Sequence, residues 1–321
     1  MSVIERAAKR LEELRKAGIT VRSPKLAQDV RSGLPSAGID PGGALAEDAR
    51  SAADARPQPA AADREPLPNV VSQSVSIDLA RLAASGFVTP EDPRSQVAEE
   101  FRVIKRPLIR NAMGKTAAPI RNGNLIMITS AFPGEGKSTC SVNLAISIAM
   151  ELDNRVLLVD ADVAKPSIPA LLGLSPERGL LDLLIDRTLS LSDVLLKTNV
   201  EKLSLLPSGS KHAHATELLA SDAMARLLQE MADRYSDRIL VFDSPPLLLS
   251  NESRAIASHM GQIVVVVEAE QTTHAALKQA LATIESCPVK LLMLNKSRLR
   301  GAGNYYGYSG HAGHAYYGYG G

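Results

Sequence analysis

The chain has 321 residues, 45% of them hydrophobic, enough for a sizeable core, and Lys+Arg 36 against Asp+Glu 35 leaves a net charge of +1. That balance argues against bulk electrostatic binding to nucleic acid, and two cysteines, Cys140 and Cys287, are too few for a disulfide framework. No apolar run reaches the ~18 residues of a membrane-spanning helix, and the first residues, MSVIERAAKRLEELRKAG, lack the apolar stretch of a secretion signal.

In chain order, Ile4, Ala7, Leu11 and Leu14 recur at helical spacing and Gly18 closes the pattern, so residues 1–20 read as a short amphipathic helix. Residues 21–75 are rich in Ala, Pro, Asp, Arg and Ser, carry no aromatic residue and little periodicity, and read as a disordered linker. The segment SVSIDLARLAASGF that follows is an extended or helical packing segment, ended by a breaker at Thr89, Pro90, Asp92 and Pro93. A helix is expected from Ser95, with a kink or end at Pro107.

From Leu125 apolar strands alternate with helices. The strands are LIMITS, VLLVDAD, LSLLPSG, ILVFDSPP, IVVVVEAE and LLMLN. The helices are expected at 137–151, through Leu172, at 181–185, 216–234, 252–259 and 272–286. Near-continuous apolar strands separated by helices imply an α/β, doubly wound, mainly parallel sheet covered on both faces, with ligands at the carboxyl ends of its strands. The domain expected from this pattern spans 76–298. Residues 299–321 form a Gly/Tyr-rich tail too simple to bury a core, and are expected to be flexible. Six of the seven tyrosines lie there, at Tyr305, Tyr306, Tyr308, Tyr316, Tyr317 and Tyr319.

Ala131-Phe-Pro-Gly-Glu-Gly-Lys137-Ser138 follows the LIMITS strand and opens a helix, which is the context of a phosphate-binding P-loop. Glycines there let backbone N–H groups close around phosphate oxygens, and the helix N-terminus adds its positive end. Gly134, Glu135, Gly136, Lys137, Ser138 and Thr139 are the candidate nucleotide-binding residues. Lys137 is placed to reach the β- and γ-phosphates of ATP and Ser138 to ligate Mg2+. Asp160 and Asp162 end the second of these strands and Asp243 a later one, so all three carboxylates should converge on the metal and γ-phosphate. Ser138, Asp162 and Asp243 are the candidate metal ligands; Asn295, ending the last strand, is a candidate adenine contact. His212, His214, His311 and His314 are scattered and form no zinc pattern, and Cys140 reads as a small buried residue.

PGEGKST, LLVDADVAKP and ILVFDSPP resemble the Walker A motif, the second acidic motif and the Walker B motif of the bacterial tyrosine kinases, in the family's order. The segment EEFRVIKRPLIRNA and the short soluble form are similar to the subgroup of exosortase-associated exopolysaccharide tyrosine autokinases, and the tyrosine tail resembles the C-terminal tyrosine cluster of the family. The resemblance implies a P-loop NTPase fold and transfer of the γ-phosphoryl of ATP to the tail tyrosines. Lys137, Asp160 and Asp162 would be catalytic, with Asp160 or Asp162 accepting or orienting the hydroxyl proton. It also implies ring assembly with other copies and activation by a membrane chain-length-determinant protein, or polysaccharide co-polymerase. A cognate tyrosine phosphatase and a cytoplasmic location, recruited to the inner face of the membrane by the partner, complete the expectation. Nucleic acid is not an expected partner.

Two positions depart from the family pattern. Ala164 stands where the acidic motif carries an arginine, with Lys165 beside it. The family's oligomerisation helix reads Glu-x-x-Arg-x-x-Arg; here the residues are Glu99, Arg102 and Lys105, with Arg106 adjacent, and lysine cannot form arginine's bidentate fork. A partitioning or septum-positioning ATPase is the alternative within the superfamily, but those proteins need a second lysine where this chain has Phe132. A nucleotide-binding assembly protein with an adhesive tail is the other.

Overall fold

The computed structural model describes residues 73–297, apart from Ala117 and Pro176. The expected helix at 1–20, most of the linker at 21–75 and the tail tyrosines lie outside the described residues.

Eight strands form one sheet. They are β1 (Ser74–Val75), β2 (Leu125–Ser130), β3 (Arg155–Asp160), β4 (Leu196–Thr198), β5 (Leu203–Leu206), β6 (Arg238–Asp243), β7 (Gln262–Glu268) and β8 (Val289–Asn295), in the order β1-β4-β5-β3-β6-β2-β7-β8. Every pairing is parallel except that of β4 with β5. The helices are α1 (Leu79–Ala84), α2 (Gln96–Ala112), α3 (Lys137–Ala149), α4 (Ile168–Leu172), α5 (Leu180–Ile185) and α6 (Leu191–Val194), then α7 (Ala215–Leu219), α8 (Asp222–Arg234), α9 (Asn251–Ala257) and α10 (His274–Ala282).

The strand period of two explains why the apolar runs are continuous. Ile126 and Ile128 of β2 face one core, with α2 and α3, while Leu125 and Met127 face the other, with α8 and α9. Both faces are covered, so every residue of β2 is buried. This is the doubly wound sheet the alternation implies, and it sets the P-loop strand between β6 and β7 at the centre.

Four details differ from the sequence reading. The sheet takes in residues before 76, because β1 pairs with β4. The helix expected at 216–234 is two helices: the Ser221 hydroxyl accepts from Met224 N and starts α8 afresh. α2 runs through Pro107 to Ala112. The carbonyl that Pro107 strands belongs to Val103, which is 54% exposed, so solvent can satisfy it. The other boundaries shift by a few residues in either direction, as element ends do.

Candidate active site

The loop after β2 is shaped by two glycines. Gly134 (φ 88°) and Gly136 (φ 97°) lie in the left-handed region, and a Cβ on Gly136 would fall 2.1 Å from Asn295 Nδ2. Neighbouring elements brace the loop from outside. Asn295 Nδ2 donates to the Glu135 carbonyl (2.8 Å), and Lys296 Nζ donates to the Gly134 carbonyl (2.7 Å) and pairs with Glu268 (3.0 Å). The buried Glu135 carboxylate accepts from Phe132 N (2.8 Å) and from the Thr272 hydroxyl. No side chain caps the start of α3, which leaves its first N–H groups for an anion.

β3 and β6 are neighbours with Asp160 level with Asp243, so two carboxylates end side by side beneath the loop. Lys137 Nζ lies 2.7 Å from Asp162 Oδ2 and 3.4 Å from Ser138 Oγ. Asp162 Oδ1 accepts from Lys165 N (3.1 Å), so both oxygens of Asp162 are engaged. Asp160 Oδ2 accepts from the N–H groups of Ser167 and Ile168, each at 3.1 Å. Ser141 Oγ donates to Asp243 Oδ1 (3.0 Å), and Ser167 Oγ donates to Ser138 Oγ (2.8 Å). Asp160 Oδ1 and Asp243 Oδ2 are buried without a partner.

The electrostatics follow from this crowding. Burial pushes Asp160 up to about 7, reinforced by the Asp243 charge and restrained by the two N–H donors. Burial pushes Asp243 up to about 6, with Lys137 and its hydroxyl partners pulling the other way. Burial pulls the Lys137 ammonium down, but the charges of Asp243, Asp162 and Asp160 outweigh it and hold the group above the ordinary lysine range.

Two orphaned buried carboxylate oxygens beside a serine hydroxyl are hard donors that fit Mg2+ or its bound water. Among the described residues no three His, Cys, Asp or Glu are grouped to hold a metal by themselves.

The expected residues therefore meet: Gly134, Gly136, Lys137, Ser138, Asp160, Asp162 and Asp243 lie together at the strands' carboxyl ends. The side chains of Glu135 and Asn295 are engaged within the protein, and the expectation for Lys105 needs correction. The Glu135 carboxylate is turned away and leaves only its backbone to face a nucleotide. Asn295 holds the back of the loop through its side-chain amide rather than lying free for a base. Lys105 does not share the outer face of α2 with Glu99 and Arg102, which pair with each other at 2.5 Å. Three-residue steps fall about 60° short of a turn, so Lys105 lies about 120° around from Glu99. It is buried, donating to the Ser147 carbonyl and pairing with Glu151, both at 2.6 Å, at the far end of α3. Thr139, Ala164 and Lys165 are exposed. His212 and His214 are exposed too, and burial, with the Asp243 charge, pushes the Cys140 thiol up to about 12, far from a nucleophilic thiolate.

Ser141, Ser167 and Thr272 were not singled out from sequence. Ser141 had a usable signal, lying one turn after Lys137 on the same helix face. Ser167 and Thr272 reach the site only through the fold.

The profile of an AAA domain matches residues 123–297. The tyrosine-protein kinase YwqD of Bacillus subtilis is 31% identical over 219 residues, covering 68% of this chain and 88% of the relative. The putative tyrosine-protein kinase CapB of Staphylococcus aureus is 29% identical over 221 residues, covering 68% and 92%. Among solved structures, the chimerical protein CapA2B2 superposes with a TM-score of 0.55 at 28% identity, over 68% of this chain and 93% of that one. With the P-loop, both acidic strand ends and these relatives in agreement, the chain belongs to the bacterial tyrosine-protein kinase family of P-loop AAA-domain proteins.

Proposed function

We propose that the protein is an ATP- and Mg2+-dependent tyrosine autokinase acting in exopolysaccharide synthesis or export, and that its acceptors are Tyr305, Tyr306, Tyr308, Tyr316, Tyr317 and Tyr319. The observation that carries the proposal is the meeting of Lys137 with the level carboxylates of Asp160 and Asp243 behind a glycine loop. In the reaction the phenol oxygen bonds to the γ-phosphorus of ATP, the bond to the β,γ-bridging oxygen breaks, and ADP leaves. Asp160 Oδ1, unpartnered on a carboxylate that titrates at about 7, is suited to take the phenol proton at neutral pH. Lys137 stabilises the charge of the transferring phosphoryl group. Asp162 aims Lys137 until the phosphates compete for it. Ser138 Oγ and Asp243 Oδ2 are the oxygens that would hold Mg2+ or its waters, and a bound ion would supply neutralisation of the phosphate charge.

Residues 76–298 with β1 would be the kinase domain, 1–20 a docking helix, 21–75 a linker and 299–321 the substrate tail. Glycines in the tail permit reach to a neighbouring copy's site. Glu99 and Arg102, exposed on α2, would form the seam of a ring of copies, without Lys105. No helix among the described residues is long and apolar enough to cross a membrane. Recruitment to the inner membrane face would be by a co-polymerase partner, with a tyrosine phosphatase resetting the tail. Phe132 in place of a second lysine disfavours the partitioning-type switch. Incubation with ATP and Mg2+ followed by phosphopeptide mapping tests the proposal: tail phosphotyrosine is expected, and ATP turnover without phosphotyrosine would overturn it.

A further inference from the structure

Four phenylalanines are present in the chain, and Phe132 alone among them is largely exposed, at 41%. It stands on the phosphate loop itself. Its backbone is held on both sides: its N–H donates to Glu135 Oε2 (2.8 Å) and its carbonyl accepts from Ser130 Oγ (2.7 Å). The backbone is thus fixed there, and Phe132 belongs to neither core.

A second exposed apolar residue accompanies it. After Asp243 the chain runs beside the end of β2: Thr129 Oγ1 donates to the Pro245 carbonyl (2.8 Å), Leu247 N to the Ser130 carbonyl (2.8 Å) and Leu248 N to the Ala131 carbonyl (3.4 Å). The next residue on each chain is Phe132 and Leu249, and Leu249 is 66% exposed. Two large apolar side chains thus stand in solvent at the edge of a site otherwise built from carboxylates, hydroxyls and an ammonium.

We infer that Phe132 and Leu249 form the seat for the aromatic ring of the acceptor tyrosine, an inference that rests on the kinase reading above. The attacking oxygen must come within about 3–3.5 Å of the reacting phosphorus. In tyrosine that oxygen is fixed to a flat apolar ring, so the ring must lie a few ångströms outward, at the rim of the phosphate loop. Aromatic rings favour offset or edge-to-face contact with a second ring, at centroid separations of about 4.5–7 Å. Serine and threonine carry no ring to fill such a seat, so the same surface selects tyrosine. Phe132 is thus a specificity-determining residue, distinct from the groups that hold phosphate.

The test uses the full chain and a synthetic acceptor peptide covering residues 303–310 with Tyr306 as its one tyrosine, the others being phenylalanine. Initial rates of peptide phosphorylation are measured against peptide concentration, and affinity for a fluorescent ADP analogue is measured in parallel. F132A and L249S should each raise the KM for peptide, F132A by roughly tenfold, with nucleotide affinity unchanged. F132Y should retain the wild-type KM, and thermal midpoints should match because both residues are exposed. A wild-type peptide KM in F132A would overturn the inference, as would weakened nucleotide affinity in step with it, which would make Phe132 a nucleotide contact. Absence of phosphotyrosine from the wild-type protein would overturn the kinase reading itself, and the seat with it; label from wild type with an unmoved F132A would overturn the seat alone.

Discussion

Replacing Lys137 by Met removes the cation that faces Asp160, Asp162 and Asp243, and the structure sets the size and pH dependence of the effect. Lys137 Nζ and Asp162 Oδ2 are 2.7 Å apart, with side chains 12% and 6% exposed. Removing one partner of a buried pair costs about 3–5 kcal/mol. At about 2–4 °C per kcal/mol for a domain of this size, the melting midpoint at pH 8 should fall by roughly 6–20 °C. Asp160 and Asp243 titrate at about 7 and about 6, so at pH 5 both are protonated and Lys137 no longer faces their two charges. The fall at pH 5 should be about half that at pH 8. Phosphotyrosine in K137M should drop by at least about 100-fold, the loss typical of removing one charge-stabilising donor. Differential scanning fluorimetry at both pH values and anti-phosphotyrosine blotting give the answer. Equal shifts at pH 5 and pH 8 would refute the electrostatic account, and undiminished phosphotyrosine would refute the role given to Lys137.

In the ligand-free wild type, the raised Asp160 and Asp243 bind more protons folded than unfolded between about pH 4 and 7, so stability should fall as pH rises from 5 to 8. Asp182 and Glu252 are held below their ordinary carboxylate values and act on the acid side of the pH 5 to 8 comparison; a urea midpoint that stays level or rises would count against the buried pair. Lys105→Met should destabilise by about 1–3 kcal/mol, since it strands the Ser147 carbonyl while the half-exposed Glu151 stays solvated, whereas Glu99→Ala with Arg102→Ala should change stability by under about 1 kcal/mol yet lower the mass seen by light scattering. An unchanged mass would remove Glu99 and Arg102 from the seam, and a silent Lys105→Met would contradict its burial. Changing all six tail tyrosines to Phe should bring phosphotyrosine nearly to zero while the oligomer persists in ATP; label at the wild-type level would move the acceptor to Tyr235 or another protein.

The parts of this protein that its sequence determines are those whose residues are neighbours in the chain. The P-loop is one continuous strand, loop and helix, so its glycines, Lys137 and Ser138 could be placed from spacing alone. Asp160 and Asp243 were legible because each terminates an apolar strand, and in a parallel sheet all such ends lie on one side. The central strands were legible because burial on both faces leaves no polar interruption. What the tertiary structure decided involves residues far apart in sequence. Lys105 reaches Ser147 across 42 positions and Asn295 reaches Glu135 across 160, and neither pairing has a local signature. The short β1 and β4 exist because each finds a partner, β1 on β4 and β4 on β5, not because their own residues demand extension. Ser167 meets Ser138, and Phe132 stays in solvent, through packing. A chain's local pattern encodes which elements form and which ends they present; which side chains are spent on one another, and which are left for a ligand, depends on the distances that only the folded sheet creates.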